Sequence, residues 1–173
     1  KVTLQPHFIA VGLLIGLAKG VDIRTQGSGN IGASNLGRTL GRKWGYLGFV
    51  LDVAKGFVPT MLAGRYFHAI DADSSSLSSA ALLLWMLVGV AAILGHMFPI
   101  YLKFKGGKGV ATSLGVVLGI YPYLTLPAFF ALAIWIGVWG MTRYISLASL
   151  TAAIGFPLGL ALIIHKMPDW HWS

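Results

Sequence analysis

From Leu77 to Tyr101 the chain contains no aspartate, glutamate, lysine or arginine. That run exceeds the about 20 apolar residues that carry a helix across the hydrocarbon core of a bilayer. A backbone surrounded by hydrocarbon must satisfy its own hydrogen bonds, and a helix does so within one segment. Other runs repeat the pattern. Trp44 to Phe67 is a full span that carries Asp52 and Lys55, and Ile145 to His165 is another. Gly109 to Met141 is too long for one helix and is broken near Tyr121, Pro122, Tyr123 and Pro127, which predicts two spans joined by a tight turn. Phe8 to Ala18 makes only a partial first span. With 56% hydrophobic and 10% charged residues and a mean hydropathy of +0.76, the chain reads as an all-α, polytopic helical membrane protein. Residues 1–173 read as a single integral-membrane domain, without an internal repeat and with the short DADSSSLSS loop as the one biased segment. The start KVTLQPHF carries no cleavable signal peptide.

The loops between the spans differ in charge. The first carries Arg24, Arg38, Arg42 and Lys43, the third Lys103, Lys105 and Lys108, the fifth Arg143. The second sets Arg65 against Asp71 and Asp73, the fourth is uncharged, and the sixth sets Lys166 against Asp169. Alternating spans put the odd loops on one side, and the excess of cations makes that side cytoplasmic and leaves the N-terminus outside. Trp44, Tyr46, Tyr66, Tyr101, Tyr121, Tyr123, Tyr144, Trp170 and Trp172 fall at span ends, where interfacial anchors belong. A net charge of +8 would suit nucleic acid in a soluble protein, but cations set between apolar spans meet lipid headgroups instead. Zero cysteine excludes disulfides, thiolate metal sites and cysteine nucleophiles.

Candidate chemistry lies in three polar segments. Lys103 to Gly109, KFKGGKG, sets three lysines among three glycines ahead of a helix predicted over Val110 to Ile120. Close backbone approach, ammonium groups and a helix N-terminus suit an anion; the alternative is a basic membrane-flanking turn. It is not a Walker A loop, because Gly109 follows Lys108 and no glycine stands five residues before Gly107. The loop from Arg24 to Lys43, RTQGSGNIGASNLGRTLGRK, offers Ser28, Asn30, Ser34 and Asn35 beside Arg38, a set suited to a phosphorylated ligand or to an ordinary solvated turn-rich loop. Its GxGxxG over Gly27, Gly29 and Gly32 follows DIRTQ and not a strand, so a dinucleotide site is excluded. The third segment, MTRYISLAS, brings Arg143, Ser146 and Ser149 to a helix entrance, with Ser146 as its N-cap. Asp52 and Lys55 share a helix face and either pair structurally or serve a site. His96 either orients a ligand oxygen or caps local backbone. His68 with Asp73 fits HxxxxD only by chance, in the outer second loop. No Ser/His/Asp triad, His-rich set or zinc spacing occurs, and no metal or cofactor is implied.

GSGNIGASN with Arg38, GHMFPIYLKFKGGKGVAT and RYISLAS, with LDVAKG between them, together resemble the bacterial acyl-phosphate:glycerol-3-phosphate acyltransferases, the PlsY family. The resemblance implies a compact seven-helix membrane enzyme in the cytoplasmic (inner) membrane. Such an enzyme moves a fatty acyl group from acyl phosphate to the 1-position of sn-glycerol 3-phosphate, giving lysophosphatidic acid and phosphate, without acyl-CoA or acyl carrier protein as direct donor. It implies that Ser28, Arg38 and Lys108 carry catalysis. Asn30, Asn35, His96, Gly106, Gly107, Gly109, Arg143, Ser146 and Ser149 then bind substrate, and substrate phosphate helps remove the hydroxyl proton. Ser34 stands where the family has threonine. The resemblance also implies a last helix and a basic tail bringing a histidine and an asparagine to the site, so a chain ending at Ser173 with a shortened first helix reads as a fragment. The rival expectation is a membrane carrier of a small phosphorylated anion; it requires a midplane site open to both sides, and only Asp52 and Lys55 are deep.

Overall fold

The computed structural model describes residues 10–70 and 78–166. Their regular elements are helices: α1 Val11–Ala18, α2 Ala33–Leu40, α3 Arg42–Tyr66, α4 Ser79–Met97, α5 Val110–Gly119, α6 Thr125–Thr142 and α7 Ile145–Lys166, with 3-10 turns at Ile23–Thr25 and Ile100–Leu102. Among the described residues, Arg42–Tyr66, Ser79–Leu102 and Thr125–Thr142 are long and apolar enough to cross a membrane. Their surfaces are those of helices in lipid. Leu62, Leu83, Leu87 and Phe129 face outward, whereas Asp52, Thr60 and Thr112 are buried.

Two expectations change. The first polar loop contains α2, because Leu36 and Leu40 lie four apart and give the segment a single apolar stripe. The predicted span after Gly109 is a half-span: α5 has ten residues, about 15 Å of helix against a core of about 30 Å. Leu77, Asp73, Phe8, Trp170 and Trp172 lie outside the described residues.

The chain falls into two compact units, residues 1–60 with 87–116, and residues 61–86 with 117–173. In the first, Ala10, Leu13, Ile23, Ile31, Leu36 and Leu102 form a buried cluster that folds the Arg24–Lys43 segment onto α1. Small residues permit the approach. A Cβ on Gly12 would overlap the Ile31 carbonyl, and one on Gly16 would meet the Ile23 side chain. In the same unit α3 and α5 meet backbone to backbone, since a Cβ on Gly56 would overlap the Thr112 carbonyl and one on Gly115 the Val53 carbonyl. In the second unit Trp85 is fully buried, its ring against Gly64 and edge-on to Tyr123 with centroids 6.3 Å apart.

Candidate active site

Asn35 organises the first wall of the site. It is 1% exposed. Its Oδ1 accepts the Ser28 N–H at 2.8 Å, and its Nδ2 donates to the carbonyls of Ile23, Gln26 and Asn30 at 2.8, 3.1 and 2.8 Å. Gly27 takes a left-handed φ of +57° and lies so close that a Cβ there would overlap Asn35 Oδ1. Asn30 Oδ1 accepts the Gly32 N–H at 2.8 Å, closing a turn at the start of α2. Upstream, Arg24 donates to Asp22 through Nε at 2.9 Å and through a terminal nitrogen at 2.6 Å. That side-chain hydrogen bond outweighs partial burial and holds the Asp22 carboxyl below its ordinary range. Asn35 lines the cleft with its amide groups engaged with backbone, and so holds the loop in shape.

The second wall follows α4. Phe98 and Pro99 end the helix, and Lys103 and Phe104 adopt left-handed φ of 52° and 62°, which reverses the chain. Gly106 and Gly107 then run back along the last turn of α4, donating their N–H groups to the carbonyls of Met97 and His96, both at 3.1 Å. A Cβ on Gly107 would overlap the His96 ring. Of the three glycines expected to cradle phosphate, two have their N–H groups engaged with backbone. Gly106 and Gly107 are needed for close packing, their N–H groups already face carbonyls, and within the cluster Gly109 alone among the glycines has a positive φ, +79°.

Between the walls lies a cleft of about 270 Å³, within the first unit, whose lining includes Ser28, Asn30, Arg38, Asp52, His96, Lys108 and Gly109. The N-termini of two helices open into it: Gly32, Ala33 and Ser34 at the start of α2, and Gly109, Val110 and Ala111 at the start of α5. Gly32 caps α2 without a side-chain acceptor. The first N–H groups of each helix and its positive dipole end thus add to the Arg38 and Lys108 charges. One carboxylate enters the same cleft. Asp52, 3% exposed, accepts from Lys55 Nζ at 3.2 Å and lies 3.8 Å from His96 Nδ1. Sequence reasoning singled out Asp52 and His96 separately but missed their pairing, which no spacing along the chain could reveal.

Arg143, Ser146 and Ser149 belong to the second unit. Arg143 ends α6 with a left-handed φ of 60° and sets its guanidinium 5.6 Å from the Trp139 ring centroid. Ser149 Oγ accepts from Trp135 Nε1 at 3.2 Å. Helix α7 begins at Ile145, so Ser146 is its second residue and not its N-cap.

Fold and site together define a helical integral membrane protein with a polar, anion-receptive cleft. The chain belongs to the glycerol-3-phosphate acyltransferase family, whose model matches residues 8–171. A glycerol-3-phosphate acyltransferase of Aquifex aeolicus is 46% identical over 91% of this chain and 84% of its own length. One of Geobacter sulfurreducens is 47% identical over 91% of this chain and 74% of its own. Among solved structures, the glycerol 3-phosphate form of PlsY (YgiH), an integral membrane glycerol 3-phosphate acyltransferase, superposes with a TM-score of 0.64 at 36% identity, covering 95% of this chain and 89% of that one. Its lysophosphatidic acid form superposes at 0.62 with 39% identity, over 92% and 81%. The resemblance read from the three motifs, and the all-helical fold it implied, are borne out.

Proposed function

We propose that the cleft binds the phosphate groups of two substrates, sn-glycerol 3-phosphate and an acyl phosphate, and transfers the acyl group between them at the cytoplasmic face of the inner membrane. The observation that carries this reading is the convergence of Arg38, Lys108 and the N-termini of α2 and α5 on one cleft. Four sources of positive potential suit dianionic phosphate groups, and glycerol 3-phosphate, for which the relatives are named, carries one. Ser28 and Arg38 serve glycerol 3-phosphate, and Lys108 with the start of α5 receives the acyl phosphate. The 1-hydroxyl oxygen attacks the acyl carbonyl carbon and forms the ester bond. The bond from that carbon to the phosphate oxygen breaks, phosphate leaves with the electron pair, and the hydroxyl proton ends on a phosphate oxygen. Lys108 meets the charge that develops on the leaving group. Arg143, Ser146 and Ser149 are assigned to substrate binding through the family's third motif.

Arg38→Ala and Lys108→Ala separate the two roles. Arg38→Ala is expected to raise KM for glycerol 3-phosphate, and Lys108→Ala to lower kcat by about a hundredfold or more, as for loss of a group meeting transition-state charge. An unimpaired Lys108→Ala enzyme overturns that assignment.

A further inference from the structure

We propose that Asp52 is a positioning residue for the phosphate-binding turn and acts through His96. Three elements of the first unit make the connection. On α3, Asp52 Oδ1 accepts from Lys55 Nζ at 3.2 Å and faces His96 Nδ1 on α4 at 3.8 Å. The opposite edge of the imidazole lies against Gly107, where a Cβ would overlap Nε2. The Gly107 N–H donates to the His96 carbonyl at 3.1 Å, and Lys108 follows directly. The ring is thus held between a carboxylate and the turn that presents Lys108. An imidazole carries its proton on either nitrogen, and the partner of one nitrogen decides which. A carboxylate beside Nδ1 holds the proton there and leaves Nε2 bare against Gly107. In the other tautomer an Nε2–H would press on Gly107 and displace Lys108. Lys55 meets the charge of the same carboxylate oxygen, which a buried Asp52 requires.

The kinetic arm of the test rests on the acyltransferase reading; the spectroscopic arm does not. In 15N-histidine-labelled full-chain protein, the signal lost in His96→Gln reports His96. It is expected to show the Nδ1–H tautomer in the parent protein and the Nε2–H tautomer in Asp52→Ala. Asp52→Asn removes the carboxylate charge and offers an N–H to Nδ1, so it is expected to show the Nε2–H tautomer as well, which serves where the alanine variant does not fold. In turnover, Asp52→Ala should lower kcat about tenfold more than it changes KM, yet change either less than about twofold in a His96→Gln background. An unchanged tautomer in Asp52→Ala or Asp52→Asn, or equal effects in both backgrounds, overturns the proposal. A parent protein that releases no phosphate in response to glycerol 3-phosphate overturns the acyltransferase reading alone, and the tautomer still decides the role of Asp52.

Discussion

Four hydrogen bonds converge on the Asn35 carboxamide, three of them donated to carbonyls of the segment before α2, of which those of Ile23 and Gln26 also accept a backbone N–H. Replacing the residue by alanine takes these bonds from the Ser28 N–H and the Asn30 carbonyl, at about 1–3 kcal/mol for each that water cannot reach. Asn35→Ala should therefore lower the thermal unfolding midpoint in detergent and raise KM for glycerol 3-phosphate through the displaced Ser28. A variant with both values unchanged contradicts the role. The sequence identified Asn35 as part of the site but did not show its bonds to the backbone. A motif supplies residue types and spacing, whereas the acceptors within reach depend on how the loop folds back. The same limit applied to Gly106 and Gly107. Their number and the nearby lysines pointed to a phosphate cradle, but the reversal at Lys103 and Phe104 turns their N–H groups toward α4.

The helices were more legible than the loops, because apolar run length is itself the physical requirement for a span. Trp44 to Phe67 and Leu77 to Tyr101 correspond to α3 and α4 within a few residues. The helix predicted over Val110 to Ile120 matches α5 within one residue; the error was to count it as a whole span, because the apolar run to Met141 is long enough for two. Hydropathy could not find α2, whose serine, asparagine and glycine content reads as turn. What brings α5 to the site is the glycine contact with α3. Gly115→Val would force a side chain into the Val53 carbonyl and is expected to lower both thermal stability and activity. Gly137→Ala on α6 is the matched control. A Cβ there meets nothing within 4 Å, so its stability should hold or rise by up to about 1 kcal/mol from helix propensity. Equal losses in both variants contradict a close α3–α5 approach.

At the scale of the whole chain, apolar side chains face outward and the carboxylate Asp52 faces inward, the arrangement lipid imposes. Charge asymmetry between loops and the three ordered polar motifs made the class and the family legible in the sequence. The union of the first two motifs around one cleft was not, because Ser28 and Lys108 are brought together by long-range packing in the first unit. The central claim is that this cleft transfers an acyl group from acyl phosphate. The most direct measurement is release of inorganic phosphate from palmitoyl phosphate by purified full-chain protein, with and without sn-glycerol 3-phosphate. Passage of glycerol 3-phosphate across protein-containing liposomes is followed in parallel. Phosphate release that depends on glycerol 3-phosphate, matched mole for mole by lysophosphatidic acid, is the expected result. Transport of glycerol 3-phosphate across the liposomes with no such release would contradict it.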